Sequence, residues 1–300
     1  MIQRVENDAG GILELLLDVK SGHLVAGDDS GVIRIWQVQS ERSERVRDIE
    51  PEFLRIDALA WSVDRSAFYS AGEGQIAGWT LDGSATGTWP SLDGDVLAIH
   101  PVDARRVLVA SNAGVQLLDI ERGQVLSTAS AGDRNTGIAP YHDLYLVTAC
   151  DQGGSCVRAY RLDGDALLPL DQPQIGIEVD HLSALAVRHD VLATADERLK
   201  LFDLRTGTRL MTVNPDGTKS RAADSLLVER FWTQCAGLGP QALICSSPLG
   251  PLFVFDVLSR KVERLDVFSK PATALTADGG VWAAASLDWS IYLGWETQVP

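Results

Sequence analysis

The stretch Ile56-Asp-Ala-Leu-Ala-Trp-Ser-Val-Asp-Arg-Ser-Ala-Phe-Tyr-Ser-Ala-Gly-Glu-Gly-Gln-Ile-Ala-Gly-Trp79 holds the fold in miniature. A run of small and apolar residues ends at Ser62, and a polar turn follows. A second run, Ala67-Phe-Tyr-Ser-Ala, leads into the tight turn Gly72-Glu-Gly74, and a third run closes on a large side chain at Trp79. Short apolar runs rich in branched and aromatic residues, bounded by Gly, Asp and Ser, read as successive strands rather than helices.

The pattern recurs along the chain, in His23-Leu-Val-Ala-Gly…Ile33-Arg-Ile-Trp36, Val107-Leu-Val-Ala-Ser…Leu118, Tyr145-Leu-Val-Thr-Ala…Tyr160, Val191-Leu-Ala-Thr-Ala…Phe202, Ala242-Leu-Ile-Cys-Ser…Phe255 and Val281-Trp-Ala-Ala-Ala…Gly294. The closing positions 36, 79, 118, 160, 202, 255 and 294 are spaced by 43, 39, 42, 42, 53 and 39 residues. A period of roughly 40–45 residues is that of a four-stranded propeller blade. An inner strand precedes each pair, at 13–18, 56–62, 96–100, 136–141, 182–187, 231–235 and 272–276, and a more polar outer strand follows most pairs. Continuous apolar runs suit strands buried on both faces, and charged alternation suits an exposed edge. The expectation is an all-β chain, one seven-bladed β-propeller domain over 1–300, with second-to-third strand turns near 28–31, 72–74, 111–114, 151–155, 196–198, 247–250 and 287–289.

These repeats resemble those of the WD-repeat family. The segment 56–79 looks like a whole repeat, as does 96–119. Leu201-Phe202-Asp203-Leu204 and Val254-Phe255-Asp256-Val257 resemble the family's terminal aromatic–Asp step, and turn acids or amides stand six residues before the closing position at Glu73, Asn112, Asp196 and Asp288. No literal Trp-Asp dipeptide occurs, and His181 is the one relic of the opening Gly-His. The resemblance implies a propeller whose second-to-third strand turns and blade-to-blade linkers share a top face used by partners.

The last blade ends at Trp295 with five residues left, too few for an outer strand. Ile2 to Val5, which has no blade of its own, is expected to supply it by pairing with 290–293, so that no open edge remains. One interval is longer than its siblings, and the surplus lies near 214–230, opening on the turn signal Asn214-Pro-Asp-Gly. Residues 220–230 suit a short helix. The segment is either a working loop or an insertion packed on the ring.

The net charge of −15, from 41 acids against 26 bases, disfavours nucleic acid and anionic lipid as partners. It serves either solubility or attraction of a basic partner. No apolar run approaches a membrane span, and Met1-Ile2-Gln3-Arg4-Val5-Glu6 carries no secretory core, so a cytoplasmic location is expected. The four cysteines, Cys150, Cys156, Cys235 and Cys245, form no CxxC pair. They read as free buried thiols, or as cross-strand pairs 150/156 and 235/245.

Catalytic signatures are not found in the sequence. The five histidines show no HxxxH, HExxH or HxH spacing, and His23, His100, His142 and His189 read as surface turn residues. No Gly-x-Ser-x-Gly elbow occurs. The Gly-rich spots and Asp28-Asp29-Ser30-Gly31 read as blade turns rather than phosphate or calcium loops.

The expectation is therefore a non-catalytic protein–protein interaction scaffold without cofactor or metal. It would hold a protein or peptide, basic or of mixed charge, on a top face made of Asp28, Asp29, Asp151, His181, Asp196, Asp288 and Trp289, with Leu226 and Leu227 as apolar anchors. The alternatives are a hydrolase-like propeller with a site assembled at the central channel, and a peptide reader. A partner gripping the side of the ring, where Arg42, Arg45 and Arg47 make an outer strand basic, is the competing geometry.

Overall fold

The computed structural model describes residues 2–7, 10–39, 42–89, 92, 94–130, 137–151, 154–170, 184–195, 198–214, 234–247 and 249–295. In chain order, β1 (Ile2–Val5) stands alone, and blade one is β2 (Ile12–Asp18), β3 (His23–Asp28), β4 (Ile33–Val38) and β5 (Ser43–Ile49). Blade two is β6 (Ala58–Trp61), β7 (Ala67–Gly72), β8 (Gln75–Thr80) and β9 (Ala85–Trp89). Blade three is β10 (Val96–Pro101), β11 (Arg106–Ser111), β12 (Gly114–Asp119) and β13 (Gln124–Ala129). Blade four is β14 (Ile138–Tyr141), β15 (Leu144–Asp151), β16 (Gly154–Asp163) and β17 (Ala166–Leu170). Blade five is β18 (Ala184–Arg188), β19 (Val191–Ala195), β20 (Leu199–Asp203) and β21 (Thr208–Val213). Blade six is β22 (Cys235–Leu238), β23 (Ala242–Ser246), β24 (Leu252–Asp256) and β25 (Val262–Leu265). Blade seven is β26 (Ala272–Asp278), β27 (Val281–Ser286) and β28 (Ile291–Trp295), completed by β1. The result is seven antiparallel four-stranded sheets in a ring, a seven-bladed β-propeller, with no helix among the described residues.

Ring closure follows the sequence expectation, one residue on. Ile2 pairs with Gly294, Gln3 with Leu293, Arg4 with Tyr292 and Val5 with Ile291, so β1 lies against 291–294 rather than 290–293. The shift arises because Ser290 belongs to the preceding turn, where its carbonyl accepts the Ser286 N–H at 3.0 Å. The expected inner strand of blade six, 231–235, is displaced further. It begins at Cys235 and runs to Leu238, which puts the apolar side chain of Leu238 into the seam with blade seven. The expected helix at 220–230 lies outside the described residues.

Packing is a property of the seams. Seven apolar clusters form, one between each pair of neighbouring blades. The closing side chain of each of blades one to six reaches toward the preceding blade, as Trp36 does in the seam of blades seven and one and Phe255 in that of five and six. A register shift falls just before that residue in blades one, two, three and five, turning it into the seam. Trp79 also donates its indole N–H to the buried Ser70 hydroxyl at 2.8 Å. Blade seven closes on Gly294, and the indole of its cross-strand partner Trp282 fills the place: a Cβ on Gly294 would stand 2.1 Å from that ring.

Side-chain bonds on the bottom rim tie blades together. Arg65 donates to Asp18 of blade one at 2.9 Å and to Asp278 of blade seven at 2.8 Å. Arg106 of blade three reaches Asp165 of blade four at 3.3 Å, and the Tyr141 hydroxyl of blade four donates to Asp190 of blade five at 2.9 Å. His100 is a correction to the sequence reading. It lies within β10, not on a turn, with its ring 5.7 Å from that of Tyr145, and burial lowers its pKa from 6.5 to about 4. No helix among the described residues is long and apolar enough to cross a membrane.

Candidate functional site: the top face

The fully described second-to-third strand turns, in blades one, two, three and seven, fall where the sequence placed them, and such turns share the top face with the blade-to-blade linkers. Of the expected site residues, His181, Asp196, Leu226 and Leu227 lie outside the described residues. Asp151 is the last residue of β15, paired with Gly154.

Asp28 must be corrected as a docking residue, because it is fully buried and engaged inside its own turn. Its Oδ1 accepts the Ser30 N–H at 2.9 Å, the Ser30 hydroxyl at 2.8 Å and the Val32 N–H at 2.8 Å, while Arg34 donates to Oδ2. Burial favours the neutral acid, but these bonds outweigh it and hold the carboxyl below its ordinary pKa. Asp29 is exposed and closes the entry of the chain into blade one. Its Oδ1 accepts the Gly11 N–H at 3.0 Å, and its own N–H donates to the Gly11 carbonyl at 3.0 Å.

Trp289 is different in kind. Three turns share one hydrogen-bond frame, in which the first residue donates to the fifth and the fourth donates back to the first. In blade one these are Asp28 N to Val32 O at 3.1 Å and Gly31 N to Asp28 O at 3.3 Å. In blade six they are Ser247 N to Pro251 O at 3.0 Å and Gly250 N to Ser247 O at 3.1 Å. In blade seven they are Ser286 N to Ser290 O at 3.0 Å and Trp289 N to Ser286 O at 2.9 Å. The fourth position is left-handed in all three, with φ of 81° at Gly31, 110° at Gly250 and 67° at Trp289. Glycine adopts that conformation freely, whereas a bulky residue there is an outlier held by its surroundings. Asp288 holds it by accepting the Ser290 N–H at 3.1 Å and the Ser290 hydroxyl, which lowers its own pKa. The Asn7 side-chain amide donates to the Trp289 carbonyl at 3.0 Å. Trp289 is 55% exposed, so neither seam packing nor burial accounts for it. Leu287 and Leu249, in the turns of blades seven and six, are also exposed, as is Leu54 in the linker from blade one to blade two.

An acidic sector covers blades one to three. Asp57, just before β6, has its pKa raised by burial and by the neighbouring Asp95 and Glu73, against the opposing contact with Arg55 at 2.6 Å. Glu14 lies on the inner strand β2. Burial first, and then Asp57, push its pKa from 4.5 to about 8, so that it is largely a neutral acid at pH 7. No hydrogen bond to its carboxyl is found among the described residues. Among the described residues no group of three or more His, Cys, Asp or Glu side chains could hold a metal ion. On the opposite rim an open cavity of about 620 Å³ is lined by Arg188, His189, Gly239, Pro240, Gly279 and Gly280, from the inner-strand turns of blades five to seven.

Two of these features had a signal in the sequence that went unread. Setting Asp28-Asp29-Ser30-Gly31 beside Ser286-Leu287-Asp288-Trp289 places Trp where a sister turn has Gly. Glu14 is the single charge inside the apolar run 12–17. The sequence matches no protein-family model and no curated protein.

Proposed function

We propose that this chain is a non-catalytic, WD-repeat-like interaction propeller that holds a partner protein on its top face. Trp289 is the anchor, and the acidic sector over blades one to three receives basic groups of the partner. The observation that carries this reading is the exposed indole on a left-handed backbone where sister turns place glycine. Backbone strain of this kind costs on the order of 1–3 kcal/mol and collects at functional positions. Exposed Trp is also the side chain most enriched among interface hot spots. The neighbouring leucines extend the apolar contact, and the acids set association rate and partner choice more than affinity. The side-on geometry is weaker, because Arg42 is paired with Glu44 at 2.9 Å and Arg45 with Asp48 at 3.3 Å.

The test is Trp289→Gly. It removes the indole and restores the residue that the backbone prefers, so the melting temperature should hold or rise, by about 1 kcal/mol of stability at most. Partners recovered with the wild-type protein should weaken at least tenfold, with a smaller, salt-dependent loss for Glu73→Lys combined with Asp95→Lys. Partner binding unchanged in both folded variants would show the working surface to lie elsewhere.

A further inference from the structure

Two of the four cysteines meet across a ladder. Cys235 opens β22, Cys245 lies in β23, and the register makes them direct partners. The Ser246 N–H donates to the Gln234 carbonyl at 2.8 Å, which makes 234/246 a hydrogen-bonded pair. The adjoining 235/245 pair is therefore of the non-hydrogen-bonded kind, where Cα atoms stand about 4.5 Å apart. That is within the separation of about 4.4–6.8 Å that a disulfide spans. Both side chains face the seam with blade five, where the two cysteines adjoin each other. Both are free. The other cysteines are not so placed, since Cys156 lies opposite Ala149 and Cys150 opposite Ser155.

The geometry points to a redox-active dithiol, in which Cys235 and Cys245 close into a reversible cross-strand disulfide when a hydroperoxide oxidises Cys235. The roles follow from exposure. Cys235 is half-buried and within reach of a small oxidant, whereas Cys245 is 1% exposed. Burial and the adjacent Cys235 push the Cys245 thiol up, so it stays protonated while Cys235 reacts.

The Cys235 thiolate attacks one peroxide oxygen, the O–O bond breaks, and the leaving alkoxide takes up a proton to depart as an alcohol. Cys235 becomes a sulfenic acid. Cys245 then gives up its proton and attacks Cys235 Sγ, the S–O bond breaks, and the oxygen leaves as water. Two thiols and one hydroperoxide yield one disulfide, one alcohol and one water, with two electrons passing from sulfur to the peroxide. A thiol reductant reverses the bridge by exchange. The bridge staples the first residue of the inner strand to its neighbour, at the point where the chain enters blade six from the top face.

The experiment uses the full chain and hydrogen peroxide at one equivalent, followed by alkylation and mass spectrometry. The tryptic peptide 231–260 carries both cysteines. It should become lighter by two hydrogens and resist alkylation until dithiothreitol is added, and free thiols should fall from four to two. In Cys235→Ser the same treatment should leave Cys245 alkylatable. In Cys245→Ser a dimedone adduct should accumulate on Cys235. Retention of all four thiols, a bridge that includes Cys150 or Cys156, or conversion of Cys235 to sulfinic acid without a bridge in the wild-type protein would each overturn the assignment.

Discussion

Glu14→Gln should make the protein more stable, and the gain should depend on pH. The folded chain holds this carboxyl at a pKa near 8, against 4.5 for the ordinary group. A raised carboxyl pKa means that the native state keeps a proton which the unfolded chain releases. Stability is therefore unaffected by Glu14 below about pH 4.5, falls as pH rises toward 8, and levels off beyond. Each unit in that window removes about 1.4 kcal/mol. The full window gives an upper bound of roughly 5 kcal/mol, and the partial exposure of Glu14 to solvent brings the expected penalty at pH 8 to about 2–4 kcal/mol. Glutamine has the shape of the neutral acid and carries no charge to desolvate. Relative to wild type it should be neutral within about 0.5 kcal/mol at pH 4.5 and stabilising by that 2–4 kcal/mol at pH 8. For a chain of this size that is a rise of roughly 2 °C per kcal/mol. Melting curves of both proteins at half-unit steps from pH 4.5 to 8.5 decide the matter. Parallel curves across that range would refute the reasoning, because they would mean that Glu14 ionises as freely in the ring as in the unfolded chain.

His100 has the opposite sign. Its lowered pKa makes stability fall as pH drops from 6.5 toward 4, so His100→Gln should flatten the acid limb of the wild-type curve by up to about 3 kcal/mol, measured by urea titration at pH 7 and pH 4.5. Asp28→Ala strands the buried Arg34 and should cost about 3–5 kcal/mol, whereas Asp28→Leu with Arg34→Met should recover more than half of that; equal losses by chemical denaturation would show that the charge pair is not the cause. Deleting residues 1–7 removes the four ladder pairs of β1, the buried Val5 and the Asn7 contact, and should lower the melting temperature by several degrees in calorimetry; an unchanged transition would mean that β1 does not hold the ring closed.

The fold was legible because it is written seven times. A single apolar run such as 242–246 is ambiguous, but a run, a turn, a second run and a large closing residue at a constant period are not. Boundaries failed where the pattern thinned. Blade six lost its cue because Cys235-Ala-Gly-Leu238 is nearly featureless, and the more apolar Phe231-Trp232 drew the strand start upstream. Histidine roles failed for another reason: the sequence shows that His100 follows an apolar run but not that Tyr145 of blade four packs on it. The sequence placed Asp288 and Trp289 in the turn between β27 and β28, where they lie. It misread Asp28, because an acid at a turn looks the same whether it faces solvent or closes the turn from within.

The two rims hold their blades together by different means, and this bears on which one is free to bind. Among the described residues every ion pair between blades lies on the bottom, as with Arg65 to Asp18 and Asp278 and with Arg105 and Arg106 to Asp165. A substitution there breaks a seam. On the top, the carboxylates that are bonded serve their own turn or strand entry, as Asp28, Asp29 and Asp288 do. Links between a linker and the turn of the blade before it end on backbone carbonyls of that turn, as from Ile56 N to Asp28 O at 3.1 Å, from Leu92 N to Gly74 O at 2.7 Å and from the Asn7 amide to Trp289 O at 3.0 Å. Such links do not depend on the side chains of the turn. Side chains at the tips of the top turns can therefore change without loosening the ring, and that freedom is what allows a tryptophan to stand where sister turns keep glycine.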